Sequence, residues 1–284
     1  MKKTMLFILL VFGFAFAMAA CGAEKPSTEG DSSSTPDSNS DGEKLVVQVG
    51  TSPTYPPFES EKQGELVGFD IALIEKIAEV EDFEVEFSSM QFDGLVPALK
   101  SGQLDVVVGA LSITDKRMES VDFSNAYYES GLSILTKPDS GITSFDDLQG
   151  KLIGVQKGTS SYNYMVANGI KDQDIKQYAD ISTAYNTMEN GGVDAILYDN
   201  PSNINYLNEQ ETDAAIVGDI LAGEFYGIAV NKDKKELLEK INDGLAKLQE
   251  DGTYEQLFDE YLRGEKNGLI EGVVKPEEVV ISAE

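Results

Sequence analysis

The sequence predicts an α/β protein of two lobes, each a mostly parallel sheet flanked by helices. Three observations carry that expectation. Short apolar runs alternate with segments of helical period, and the alternation occurs twice along the chain. In addition, 284 residues with 41% hydrophobic side chains suffice for two compact cores.

In chain order, Lys2 and Lys3 precede an apolar stretch from Met5 to Ala17 and then Met18-Ala19-Ala20-Cys21. This is the pattern of a secretory signal, expected over residues 1–20. Its apolar part is shorter than the roughly 20 residues a membrane-crossing helix needs. From Cys21 to residue 44 the sequence CGAEKPSTEGDSSSTPDSNSDGEK is nearly free of apolar side chains and predicts a flexible tether.

Beyond the tether, LVVQVG (45–50), FEVEFS (83–88) and DVVVGAL (105–111) read as strands. Between them, Ile71, Ile74, Ile77 and Ala78 fall on one helical face. A shorter helix carries Leu95, Ala98 and Leu99, with Asp93 as its expected N-cap and a stop at Gly102. A second unit places strands at KLIGVQ (151–156) and DAILYD (194–199), with helices near SSYNYMVANG and STAYNTMENGG. The last portion offers a strand YGIAV (226–230). A helix follows, striped by Leu237, Leu238, Ile241, Leu245 and Leu248.

Composition narrows the chemistry. A formal charge of −28 argues against nucleic acid as a partner, because that surface demands a basic footprint. With no histidine and one cysteine, the chain lacks a histidine base, the usual zinc ligands and an internal disulfide. No cofactor or metal is expected, and most familiar hydrolase chemistry is excluded. Arg117 is one of two arginines and follows an apolar strand and a small hydroxyl-bearing loop, SIT. A fixed guanidinium fork there suits a carboxylate, although position alone more often means an ordinary surface arginine and only the surrounding pattern favours the clamp.

Five blocks extend this reading: LVVQVGTSPTYPPFES with GELVGFDIALIEKIAE (45–79), FDGLVPALKSGQLDVVVGALSITDKRMESVDFSNAYY (92–128), SFDDLQGKLIGVQKGTSSYNYM (144–165), GGVDAILYDNPSNINYL (191–207) and YGIAVNKDKKELLEKINDGLAKLQEDGTYEQLFDEYL (226–262). In this order they resemble the extracytoplasmic solute-binding protein family 3, the receptors of amino acid ABC importers, with the type II periplasmic binding protein fold. The resemblance implies one lobe from 45–133 and 228–265, a second from 134–227, and a paired hinge near Leu132–Thr136 and Tyr226–Val230. It also leaves a C-terminal extension, 266–284, without an account. Small residues before Cys21 resemble a lipobox, although Met18 replaces the commoner leucine. That implies a lipid anchor at Cys21 on the outer face of the cell membrane.

Ligand-site residues follow from the same resemblance. Ser52 and Tyr55 lie after the first strand, Phe92 faces them, and Gly109, Ala110 and Ser112 approach the ligand by main chain and hydroxyl. Arg117 matches the clamp for an α-carboxylate, Gln156, Thr159 and Ser160 stand at a helix start, and Asp199 matches the acceptor of an α-ammonium. On residues alone, Tyr55 equally suits packing beside Phe58, Thr159 and Ser160 suit helix caps, and Asp199 suits a turn. Relatives that take cationic side chains often carry aspartate where Ser52 stands. A glutamine-like neutral amino acid is therefore ranked first and a basic one second. The expected partners are an L-amino acid and an ABC permease, and the protein is expected to be a monomer. The alternative is a dehydratase or lyase on this scaffold, for which Glu59 and Glu129 are the nearby carboxylates.

Overall fold

A computed structural model describes residues 44–262 and 268–281. The expected signal peptide, Cys21 and, apart from Lys44, the tether lie outside the described residues.

The chain begins with β1 (Leu45–Thr51), then a small antiparallel sheet of β2 (Thr54–Tyr55), β3 (Glu59–Lys62) and β4 (Glu65–Val67). Next come α1 (Phe69–Glu81), β5 (Phe83–Ser89), α2 (Phe92–Lys100), β6 (Val106–Val107), α3 (Asp115–Met118) and the long β7 (Asp122–Thr136). After it follow β8 (Ile153–Gln156), α4 (Ser160–Ala167), β9 (Ile175–Tyr178), α5 (Ile181–Glu189), β10 (Ala195–Asp199) and α6 (Asn200–Glu209). The chain closes with β11 (Ala215–Val230), α7 (Lys235–Glu250), α8 (Thr253–Leu262) and α9 (Pro276–Val279).

The main sheet has the order β5-β1-β6-β11-β7-β10-β8-β9. At one end β5, β1 and β6 are parallel, and at the other so are β10, β8 and β9. Between them, β7 and β11 run antiparallel to each other and pass from one half to the other. Helices cover both halves, as parallel strands buried on two faces require.

Local sequence explains the elements that frame the site. The face of α1 read from the sequence is buried, and Phe69 and Leu73 join it. Gly68 precedes it with φ +139°, where an added Cβ would stand 2.1 Å from the Phe58 carbonyl oxygen. Only glycine fits. In α7, Leu237, Ile241, Leu245 and Leu248 are buried, each contributing about 1.5–3 kcal/mol by burial. Gly244 lets α7 approach α1, since a Cβ there would meet Ile77 at 2.8 Å.

Three expectations need correction. The N-cap of α2 is Gln91, and Asp93 sits in the first helical turn, where its charge favours the helix dipole and pairs with Lys157. The strand expected over 105–111 pairs only at Val106–Val107, because Ala110 takes φ +45° and gives its N–H to the Asp70 carboxylate. The two expected hinge segments do not face each other. In the antiparallel ladder Leu132 meets Leu221 and Thr136 meets Ala215, whereas Tyr226 meets Tyr128 and Val230 meets Asp122. The ladder breaks register on both sides of Leu221, near Gly131, Gly218 (φ +71°) and Ala222 (φ +41°).

Candidate ligand-binding site

The carboxyl ends of the strands in both halves meet at one cleft, and the loops there hold the polar groups. β1 delivers Ser52, β2 delivers Tyr55, and α2 opens with Phe92. The turn after β6 supplies Gly109, Ala110 and Ser112, and α3 holds Arg117. From the other half, β8 ends in Gln156, Thr159 and Ser160 start α4, and β10 ends in Asp199. All the ligand-site residues expected from the sequence line one cavity, together with Thr54, Glu59 and Tyr198. Glu129 does not join them. It is exposed and lines a separate groove of about 1020 Å³ beside Pro56, Pro57 and the start of α6.

Several contacts span the cleft. Arg117 donates from Nη1 to the Ser112 carbonyl at 2.7 Å and from Nη2 to the Gly158 carbonyl at 3.1 Å. Its guanidinium lies 5.6 Å from the centre of the Phe92 ring, within cation–π range. Lys157 and Asp93 form an ion pair at 2.7 Å. The Tyr55 and Tyr226 hydroxyls donate to Asp199 Oδ2 at 3.2 and 2.6 Å. The halves are drawn together, leaving a cavity of about 10 Å³, close to one water centre. Entry of an amino acid therefore requires the cleft to open.

Electrostatically the site is lopsided. Glu59 and Glu224 are each 1% exposed, and Asp70 and Asp199 are also buried. Burial pushes the carboxyl of Asp199 up to about 6, Asp70 to about 7 and Glu224 to about 8. Glu59 is driven well above the ordinary range by burial and then by its neighbours Asp70 and Asp199. Arg117 is the cation that opposes this for Asp199 and Glu224. Asp70 is partly compensated, since its Oδ2 accepts the Ala110 N–H at 2.7 Å and the Tyr127 hydroxyl at 2.8 Å. By contrast, both carboxyl oxygens of Glu59 and Oδ1 of Asp199 lack a hydrogen-bond partner among the described residues.

Sequence reasoning missed Glu224, a buried carboxyl behind the cavity wall. It lies on the central strand β11, and its Oε2 accepts the Ser112 hydroxyl at 3.0 Å. Strand alternation was the available signal, because Glu224 shares a face with Tyr226. Gln156 is placed as expected but is already engaged. Its Oε1 accepts the Tyr198 hydroxyl at 2.5 Å and its Nε2 donates to the Ala179 carbonyl at 3.3 Å.

Comparison with known proteins agrees with this architecture. A probable histidine-binding protein of Campylobacter jejuni is 35% identical over 92% of this chain and 99% of its own length. The ABC transporter arginine-binding protein 1 of Escherichia coli K12 is 36% identical over 76% of this chain and 90% of its own. The solved structure of an ancestral arginine-binding protein bound to glutamine superposes with a TM-score of 0.71 at 41% identity, covering 78% of this chain and 99% of that one. These relatives are solute-binding proteins rather than enzymes. Residues 47–264 match the family model described as bacterial extracellular solute-binding proteins, family 3. The chain belongs to that family.

Proposed function

We propose that this protein captures an L-amino acid with a cationic side chain outside the cell and presents it to the permease of an ABC importer. One observation carries the choice of side chain: Glu59 and Asp199 line a cavity whose local cation is Arg117, and both carry carboxyl oxygens without a hydrogen-bond partner among the described residues. A buried carboxylate without a partner costs several kcal/mol, so it holds a proton until a partner arrives. A zwitterion with an extra positive charge supplies two cationic groups and one anionic group. That matches two underused carboxyls and one guanidinium.

In this reading Arg117 grips the α-carboxylate, Asp199 accepts the α-ammonium, and Tyr55 and Phe92 flank the side chain that reaches toward Glu59. Charge-assisted bonds contribute roughly 1.5–3 kcal/mol each, while micromolar affinity needs about 8 kcal/mol. Burial of the guest and closure of the cleft supply the remainder. Ser52 withholds one carboxylate from a basic guest, which put a glutamine-like ligand first from sequence. Glu59 and Glu224 change that balance, and the engaged amide of Gln156 removes a reader for a neutral side chain. Sequence further supports diacylglyceryl anchoring at Cys21, which would hold the receptor near its permease.

A thermal-shift panel of the twenty amino acids and cystine at pH 7.5 tests the reading. Ligand at a hundred times its dissociation constant should add about 2.7 kcal/mol. The largest shift is expected with a basic amino acid. A shift with glutamine alone would refute the cationic assignment, and no shift with any amino acid would refute amino acid capture.

A further inference from the structure

Residues 268–281 lie beyond the part of the chain that matches the family model, which ends at residue 264. They nevertheless pack against the half that carries Arg117. Ile270 is buried, and its N–H donates to the Tyr254 hydroxyl at 3.4 Å. The Val274 carbonyl accepts the Ala126 N–H at 2.8 Å, and Val274 and Val279 pack on the core cluster that includes Ile113, Val121 and Phe123. The segment then ends on the loop before α3. The Ile281 N–H donates to the Ile113 carbonyl at 3.1 Å, and the Ile281 carbonyl accepts the Asp115 N–H at 3.1 Å. Together these bonds form a parallel bridge centred on Thr114.

The opposite edge of the same loop is also held. The Ile113 N–H donates to the Phe225 carbonyl at 2.8 Å, and the Leu111 carbonyl accepts the Gly227 N–H at 3.2 Å. Residues 111–114 are thus an extended segment bridged to β11 through Ser112 on one side and to Ile281 through Thr114 on the other. Where that segment ends, α3 begins, with the Thr114 hydroxyl accepting the Arg117 N–H at 3.3 Å. A four-residue helix cannot sustain itself, because nucleation alone is unfavourable. Its position is therefore set by what holds its first residue.

We propose that segment 268–281 is a strap whose residue Ile281 positions the Ser112–Arg117 loop for ligand binding. The functional part rests on the reading of Arg117 as a ligand clamp. Ile281 does not line the cavity and acts through the backbone of Ile113 and Asp115. Because strap and loop sit on the same half, the guanidinium keeps its place while the cleft opens. Without the strap, the loop would have to be ordered during capture, and that entropy would be subtracted from affinity.

The test uses the full chain with Ile281→Pro, Ile281→Val and a version lacking residues 273–284. Proline removes the N–H that bonds Ile113. Val280 already has φ −63° and ψ 130°, which a following proline tolerates. Valine keeps the bond. Amide hydrogen exchange at residues 112–118 is measured beside melting temperature and the dissociation constants for L-arginine, L-histidine and L-glutamine.

Ile281→Pro is expected to speed exchange at 112–118 and to weaken the amino acid the parent protein binds by about tenfold or more, while Ile281→Val behaves as the parent. A lower melting temperature with unchanged affinity at a temperature where all variants are folded would overturn the proposal. Should the parent bind none of the three amino acids, the reading of the site fails separately. Exchange then decides for the strap: acceleration at 112–118 sustains it and no change overturns it. If the truncated chain does not fold, the two point variants carry the same decision.

Discussion

At the scale of single residues, the defining feature is four buried carboxyl groups, two of which, Asp199 and Glu224, are opposed by the Arg117 guanidinium, and its consequence is a pH dependence with a definite sign. Asp199, Asp70 and Glu224 hold their protons up to about 6, 7 and 8, whereas the unfolded chain releases them near 4. Glu59 is raised in the same direction. The aromatic neighbours Tyr55, Tyr127, Tyr198 and Tyr226 are raised further from their usual range and stay neutral throughout. Between about pH 4 and 8 the folded protein therefore binds more protons than the unfolded one, and its stability falls as pH rises. A cationic guest favours the ionised carboxylates, so its binding releases protons and strengthens over the same window. Melting curves at pH 5, 6, 7 and 8 should show the ligand-free protein losing stability while the shift produced by L-arginine grows. Glu224→Gln should flatten the upper part of the ligand-free slope. A ligand-free protein that gains stability steadily from pH 5 to 8 would contradict the cluster. The places of Arg117 and Asp199 on the cavity wall were legible because motif blocks fix them. Glu224 went unread: alternation put it on the face of Tyr226, but a lone carboxylate in a strand otherwise reads as a solvated face, and only its burial shows its neighbours.

At the scale of elements, the two parallel halves were readable from apolar runs, and α1 and α7 from their stripes. The pairing of β7 with β11 was not. DFSNAYYESGLSILT shows no clean alternation, because its ladder partner and helical cover change along its length and bury both faces. The crossing itself is narrow. At Gly131 an added Cβ would stand 2.5 Å from Ile220 Cγ2 and 3.2 Å from the Ala222 carbonyl oxygen. Gly131→Val should therefore wedge the two crossing strands apart where their register already breaks. Overpacking of this kind costs about 1–3 kcal/mol, and directed wholly against the closed form it would weaken binding about 5- to 150-fold. Calorimetric titration with the ligand found in the panel, with scattering to follow compaction, checks it. Unchanged affinity would mean that the strands bend elsewhere. α8, by contrast, carried an unused signal: Tyr254, Leu257, Phe258 and Leu262 fall at helical spacing and are all buried.

At the scale of the whole molecule, 50 acidic against 22 basic residues make the protein a strongly negative body. Such a field repels anionic surfaces and draws small cations toward the cleft. The cross-cleft pair Lys157–Asp93 is largely exposed, with 60% and 33% of its side chains accessible, so it adds little to closure on its own. Long-range charge and the buried cluster are then two separable contributions to capture. The first acts before contact, over distances set by a screening length of about 10 Å at 0.1 M salt and about 30 Å at 0.01 M. The second acts after water has left, where salt scarcely penetrates. Stopped-flow association of L-arginine should consequently slow as sodium chloride rises from 10 to 500 mM, while its dissociation rate changes little. Association of L-glutamine, which carries no net charge, should be nearly indifferent to salt. Should both amino acids respond alike, steering by net charge plays no part. Should arginine's dissociation rate carry the whole salt effect, the guest's cationic group lies at the solvent-exposed rim and Glu59 is not its partner.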